Sequence, residues 1–286
     1  MLAQCGVIPL TFHSCRTAVF CESLAATARK EGNCTLQDKY AGDIGDFGKL
    51  VLLRQLSLIS SRQPRLGVNW FRSTTSDRGL NDGSYISYLA SDPKADNFRI
   101  CDPSLYDILK RVVSISRSIQ AIENEEILPV GTVFYSEPIP LSSDFKQRIV
   151  QRVRWFEESR SKLGPADVVF LDPDNGIQSQ KVKKSHIRAI KYAFVDEIRA
   201  YFDSCDIVIV YNHRDRTPSD RYRQKFVRVQ NELDSSAQLR VLHFKRFSAR
   251  DYVFFHKKSA RKVVQAVFDK LAAAPFNFLF EELRLS

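Results

Sequence analysis

Asp172-Pro173-Asp174-Asn175-Gly176 sets two carboxylates and an amide in a proline-stiffened turn directly after the apolar run 168–171. Pro, Asn and Gly all favour a reversal there. Carboxylate and amide oxygens so placed can accept hydrogen bonds from an exocyclic amino group and hold it close to an electrophile. Position and polarisation then make the amine a better nucleophile toward a methyl donor. The same residue types also cap helices and close turns. A second polar cluster, Tyr211-Asn212-His213-Arg214-Asp215-Arg216, follows the apolar run 206–210, and a third lies in the loop after Phe71. Asp172, Asp174, His213 and Asp215, with Asp43 and Asp46, also offer oxygen and imidazole ligands to Mg²⁺ or Mn²⁺ for phosphodiester hydrolysis.

Positioning these residues requires regular elements. Residues 66–71, 132–135, 168–171 and 206–212 are short apolar runs that read as buried strands. Helical spacing marks residues 50–59, 104–122, 145–163 and 193–203, with Asp102 or Ser104 as a cap for the second. Alternation of the two predicts an α/β, Rossmann-like, mostly parallel sheet with helices on both faces. Residues 239–244 and 252–257 are separated by only a short basic linker, so they predict a C-terminal antiparallel hairpin, followed by a last helix over 259–273. Ligands of open parallel sheets bind at the carboxyl ends of the strands. That rule brings Asp172, Asp174, Asn175, Asn212 and His213 to one rim.

The chain has 286 residues, and its 43 Lys and Arg against 33 Asp and Glu give a net charge of +10. Between Val210 and Lys262 there are 14 basic against 5 acidic residues, a net of +9, so nearly all the excess lies in one stretch. Such clustering points to a docking face for phosphates, with Arg214, Arg216, Arg221, Arg223, Lys225 and Arg228 as the nucleic-acid contacts. No apolar run approaches the roughly 18 residues of a membrane span, so no membrane partner is expected. The six cysteines form no CxxC pair and read as free thiols of a reducing compartment, the cytoplasm. Residues 1–37 hold four of them without a clear period. They read as a poorly ordered leader, either a flexible tail or the product of an upstream start, ahead of a single α/β domain over 38–286.

The strand ending in Asp172-Pro173, the alternating sheet and the terminal hairpin together resemble the class I S-adenosylmethionine-dependent methyltransferases. In amino-methylating members an Asp/Asn-Pro-Pro-Tyr motif ends the fourth strand and binds the target nitrogen. Residues 40–49, Tyr-Ala-Gly-Asp-Ile-Gly-Asp-Phe-Gly-Lys, are similar to the Ala-Gly-Asn-x-Ala-Asp-x-x-Lys-His segment of the bacterial large-subunit ribosomal RNA adenine-N6 methyltransferases, with Ala41, Gly42, Asp46 and Lys49 matching. The resemblance implies S-adenosylmethionine as cofactor, with no metal required. Asp46, Lys49 and Ser136 would lie on the cofactor side, and Asp172, Asp174 and Asn175 would be catalytic. The sequence departs from the pattern at Leu50, where the family has His, and at Asp174-Asn175, which replace Pro-Tyr. It has no Gly-x-Gly after the strand at 68–71.

Three readings follow. The first is methyl transfer to an amino group, most naturally on a nucleic-acid base. The second is a metal-dependent nuclease or phosphoesterase. The third is a catalytically inactive Rossmann-like module that binds nucleic acid through its basic segment.

Overall fold

In the computed structural model the described residues are 36–59, 63–73, 85–90, 96–247 and 249–285. The chain runs through α1 (Ile44–Ile59), β1 (Leu66–Asn69), α2 (Asp96–Cys101), α3 (Pro103–Ile115), α4 (Ile119–Asn124), β2 (Val133–Tyr135), α5 (Phe145–Leu163) and β3 (Val168–Leu171). It continues with β4 (Gly176–Ile177), β5 (Tyr192–Ala193), α6 (Val195–Ser204), β6 (Ile207–His213), α7 (Ser219–Leu233), β7 (Gln238–Phe244), β8 (Arg250–His256), α8 (Arg261–Ala272) and β9 (Phe280–Glu282). The leader expected over 1–37 lies, except for its last two residues, outside the described part. So does most of the polar loop after Phe71.

Seven strands form one sheet in the order β2-β1-β3-β6-β8-β7-β9. The pairs β1–β2, β1–β3 and β3–β6 are parallel, whereas β8 pairs antiparallel with both β6 and β7, and β9 with β7. This is the predicted Rossmann-like α/β architecture with its antiparallel C-terminal hairpin. Chain order reverses between β1 and β3, since β2 lies outward of one and β6 outward of the other.

Side-chain alternation sorts the sheet into two faces. Val68, Phe170, Ile209, Tyr252 and Phe254 point to the face covered by α1, α3 and α8. Val169, Leu171, Val208, Val253 and Phe255 point to the face covered by α5, α6 and α7. Both faces of the central strands are buried, which is why these strands read as continuous apolar runs. Among the described residues no helix is long and apolar enough to cross a membrane.

Several boundaries differ from the sequence-based expectation for local reasons. Asp43 Oδ1 accepts from the Gly45 and Asp46 amides at 2.7 and 3.0 Å, so α1 starts six residues before the apolar stretch at 50. Residues 104–122 make two helices: Asp102 caps α3, and Ser118 Oγ restarts the chain as α4 by accepting from Ala121 N. The apolar spacing misleads at Ile115, which is 76% exposed. The basic segment contains α7, whose Tyr222, Phe226, Val229 and Leu233 form a buried stripe at helical spacing.

Gly48 allows the closest approach between α1 and the sheet, because a Cβ there would stand 2.5 Å from the buried Phe244 ring. Gly48→Ala is expected to lower stability by about 1–3 kcal/mol through overpacking, read from the denaturant midpoint at unchanged slope.

Candidate functional site

The ends of β1, β3 and β6 and the start of β8 meet the N-terminal turns of α1. Trp70 follows β1, Asp172 follows β3, Tyr211 lies near the end of β6 and Arg250 begins the antiparallel β8. Alternation turns all four toward the α1 face. Over them α1 supplies Asp46 and Lys49, three residues apart on one side of the helix. Asp43, Asp46, Lys49, Trp70, Asp172, Asp174, Asn175, Tyr211, His213 and Arg250 line a cavity of about 340 Å³, with Tyr40, Tyr85 and Lys191 among the other lining residues. The cavity lies where the strand order reverses, the crevice in which open α/β sheets bind ligands. Its size falls within the ordinary range for small-molecule sites, about 300–1,000 Å³.

Lys49 organises the site. Its Nζ lies 2.8 Å from Asp46 Oδ1 and 2.5 Å from Asp172 Oδ2, and Lys49 is only 7% exposed. The ammonium also sits 5.6 and 5.9 Å from the ring centroids of Trp70 and Tyr211. Burial alone would lower the Lys49 pKa, but Asp172 and Asp46 together hold it above the ordinary lysine value, so the ammonium stays charged. Burial raises the Asp172 carboxyl, and Lys49 offsets this only in part. Asp43 is raised as well, first by burial and then by Asp46, against the pull of Arg250. Asp46 Oδ2 accepts from Gly42 N at 2.9 Å. Among the described residues Asp172 Oδ1 accepts no hydrogen bond. Gly45 makes room for Arg250, whose Nη1 stands 1.5 Å from where a Cβ on residue 45 would be.

The acidic turn is fixed from below. Asp172 N donates to Asn69 O, extending the β1–β3 ladder, and Asn175 N donates to Lys191 O beside the short β4–β5 pair. Arg152, paired with the buried Glu197, donates to Ala189 O and Tyr192 O and so holds β5. Gly176 has φ +95°, and a Cβ there would lie 2.3 Å from Asn212 Oδ1. The turn after β1 is tight without glycine. Phe71 occupies the left-handed region at φ 48°, its N–H donated to Asn69 Oδ1 at 3.0 Å.

No family model and no curated protein matches this chain.

The structure brings Asp172, Asp174, Asn175, Asp46, Lys49 and His213 to one cavity, but it turns Asn212 away. Asn212 is an even-numbered neighbour of Tyr211 and His213 on β6, so it faces α7 instead. There its Nδ2 donates to Tyr222 Oη at 2.8 Å, and its Oδ1 accepts from Ile177 N and Lys225 Nζ. Ser136 does not line the cavity. Its hydroxyl is hydrogen-bonded to Glu123, the carboxylate that also accepts from Trp70 Nε1 at 2.7 Å. Asp215 lies in a neighbouring groove, and among the described residues no three His, Cys, Asp or Glu side chains are grouped to hold a metal ion. Lys49 occupies the position between Asp46 and Asp172 that a shared cation would take.

The basic segment divides into parts with different surroundings. The Arg214 guanidinium is committed to the fully buried Asp251, which also accepts from Tyr222 Oη at 2.5 Å and is hydrogen-bonded to His243 Nδ1 at 2.7 Å. Arg221, Lys225 and Arg228, spaced by four and three residues, line one side of a groove of about 820 Å³. Arg223 faces a different depression, beside Val227 and Asn231. Arg216 is exposed in the loop before α7. Trp70, Lys191 and Arg250 are among the lining residues to which sequence reasoning gave no role, and Tyr211 was named only as part of its cluster. For Trp70 and Arg250 the signal was position, since one directly follows β1 and the other begins β8.

Removing Lys49 would leave two buried carboxylates without their cation. Lys49→Met is expected to cost about 3–5 kcal/mol in chemical denaturation, and adding Asp172→Asn should return part of that loss in a double-mutant cycle.

Proposed function

We propose that this cavity binds S-adenosylmethionine next to an amino group, most naturally that of a nucleic-acid base, and that the protein transfers the methyl group to that nitrogen. The observation that carries the reading is the state of Asp172. One of its oxygens is pinned by Lys49 and the other is left to accept from a ligand, at the strand-order reversal.

The lining fits such a cofactor in charge and shape. Four carboxylates (Asp43, Asp46, Asp172, Asp174) face three cations (Lys49, Lys191, Arg250), a balance that suits a ligand with a net positive charge and opposes one rich in phosphate. Tyr40, Tyr85, Trp70 and Tyr211 offer aromatic faces to a planar ring or a sulfonium. The left-handed Phe71 gives the close turn after β1 for which the resemblance implies glycine. The antiparallel β8 between β6 and β7 is the terminal hairpin on which the resemblance to class I methyltransferases rests.

Bound there, the cofactor would supply an electrophilic methyl group. The chain's own residues do the rest. Asp172 Oδ1 accepts a hydrogen bond from the target amine and orients its lone pair. Lys49 keeps the carboxylate from rotating. As the nitrogen gains its methyl it must shed a proton, and Asp172, whose proton affinity burial has raised, can take it and release it to water. Asp174 and Asn175, fixed by the β4–β5 pair, shape the wall against which the base rests.

Calorimetry with S-adenosylmethionine and S-adenosylhomocysteine is expected to show binding of both. Asp172→Asn should keep that binding while lowering methyl transfer by about 100-fold or more. Absence of heat with either ligand at millimolar concentration would overturn the reading.

A further inference from the structure

We infer that the groove beside α7 is a phosphate track for single-stranded nucleic acid, holding the backbone next to the nucleotide whose base enters the neighbouring cavity. The base placement rests on the reading above; the phosphate site stands on the groove itself.

The two hollows sort charge between them. The cavity at the strand ends has an excess of carboxylates, whereas the groove has Arg221, Lys225 and Arg228 against Asp215 as its one acidic lining residue. Ser179, Thr217 and Gln224 add uncharged donors to its wall. A phosphate is therefore favoured in the groove and disfavoured in the cavity. The loop after β4 lends Ser179 and Gln180 to the lining and runs on into the exposed Lys181 and Lys183.

Spacing and continuity fit a strand. Arg221 and Arg228 are two helical turns apart, roughly 10 Å along α7, so the two guanidiniums can meet different phosphates of one extended strand. Asn175 and His213 line both hollows, so a chain lying in the groove reaches the acidic turn without leaving the surface. A base can enter the cavity at the strand ends only after leaving its stack, which a single strand permits at least cost.

Lys225 supports the same assignment. Its ammonium donates to Asn212 Oδ1 at 2.9 Å and packs 5.3 Å from the centroids of both Tyr222 and Phe226. Burial pulls its pKa down to about 8, with Asp215 and Asp251 opposing and Arg228 adding to the effect. Arg221, His213 and Tyr192 are the other charged and titratable residues that line the groove. A lysine so placed lacks a full counter-charge, which a phosphate would supply.

The test is fluorescence anisotropy with a labelled single-stranded oligonucleotide of about 12 nucleotides and with its duplex, competed by inorganic phosphate. Tighter binding of the single strand is expected, and equal or tighter binding of the duplex overturns the proposal. Arg221→Gln with Arg228→Gln should weaken single-strand binding about tenfold or more and make the slope of log affinity against log salt shallower by about 1.4. Arg223→Gln, off the groove, should change neither. Wild-type affinity should fall as pH rises from 7 to 9, because Lys225 is charged below about 8 and neutral above, and Lys225→Met should lose that dependence. Groove variants that bind like wild type sink the track, as does displacement by phosphate at the concentration of nucleic-acid phosphate, which would mark a site for free anions. Calorimetry with S-adenosylmethionine on the same proteins separates the two readings. Normal cofactor heat with lost oligonucleotide binding supports both, whereas groove-dependent binding without cofactor heat supports the track and removes only methyl transfer.

Discussion

The ion pair between Lys49 and Asp172 is the contact on which the site depends. It joins the first turns of α1 to the end of the central strand β3, 123 residues later in the chain. Burying two carboxylates and an ammonium in one place is costly unless each charge is met. Here the cation satisfies Asp46 and Asp172 together, and the aromatic rings of Trp70 and Tyr211 flank it. The motif glycines serve the same approach. Gly45 yields to Arg250 and Gly48 to Phe244, so α1 can lie against the sheet closely enough for its lysine to reach a strand end.

A second constraint is the two-residue period of the strands. On β6 it sends Tyr211 toward α1 and Asn212 toward α7; on β8 it sends Arg250 toward α1 and Asp251 toward α7. Neighbouring residues in the sequence thus belong to different chemical environments. One face holds the acidic cavity, and the other holds the buried network of Asn212, Tyr222, Asp251, His243 and Arg214 that supports the start of α7.

Much of the fold was legible because the central strands are buried on both sides and therefore continuously apolar, and because α5 is bounded by a capping Asp144 and a terminal Gly164. The start of α1 was hidden by glycines that normally signal a turn. The short β4, β5 and β9 carry too few residues to show a period. In the site, the acidic turn could be read from residue type, whereas Asp46 and Lys49 came as a pair only through the resemblance. Arg214 could not, since only the fold brings it to Asp251. Ser136 was placed on the cofactor side by the resemblance and Asn212 on the rim by strand order, yet one is held by Glu123 and the other faces the opposite side of the sheet.

One side-chain oxygen links the acidic turn to the groove. Asn212 Oδ1 accepts both from Ile177 N, at the base of the acidic turn, and from Lys225 Nζ, at the floor of the groove. Any anion that draws the lysine outward leaves that oxygen wholly to the turn's amide. Asn212 therefore ties the backbone just beyond the acidic turn to the lysine of the groove, so a substitution at this one carboxamide would be felt on both sides.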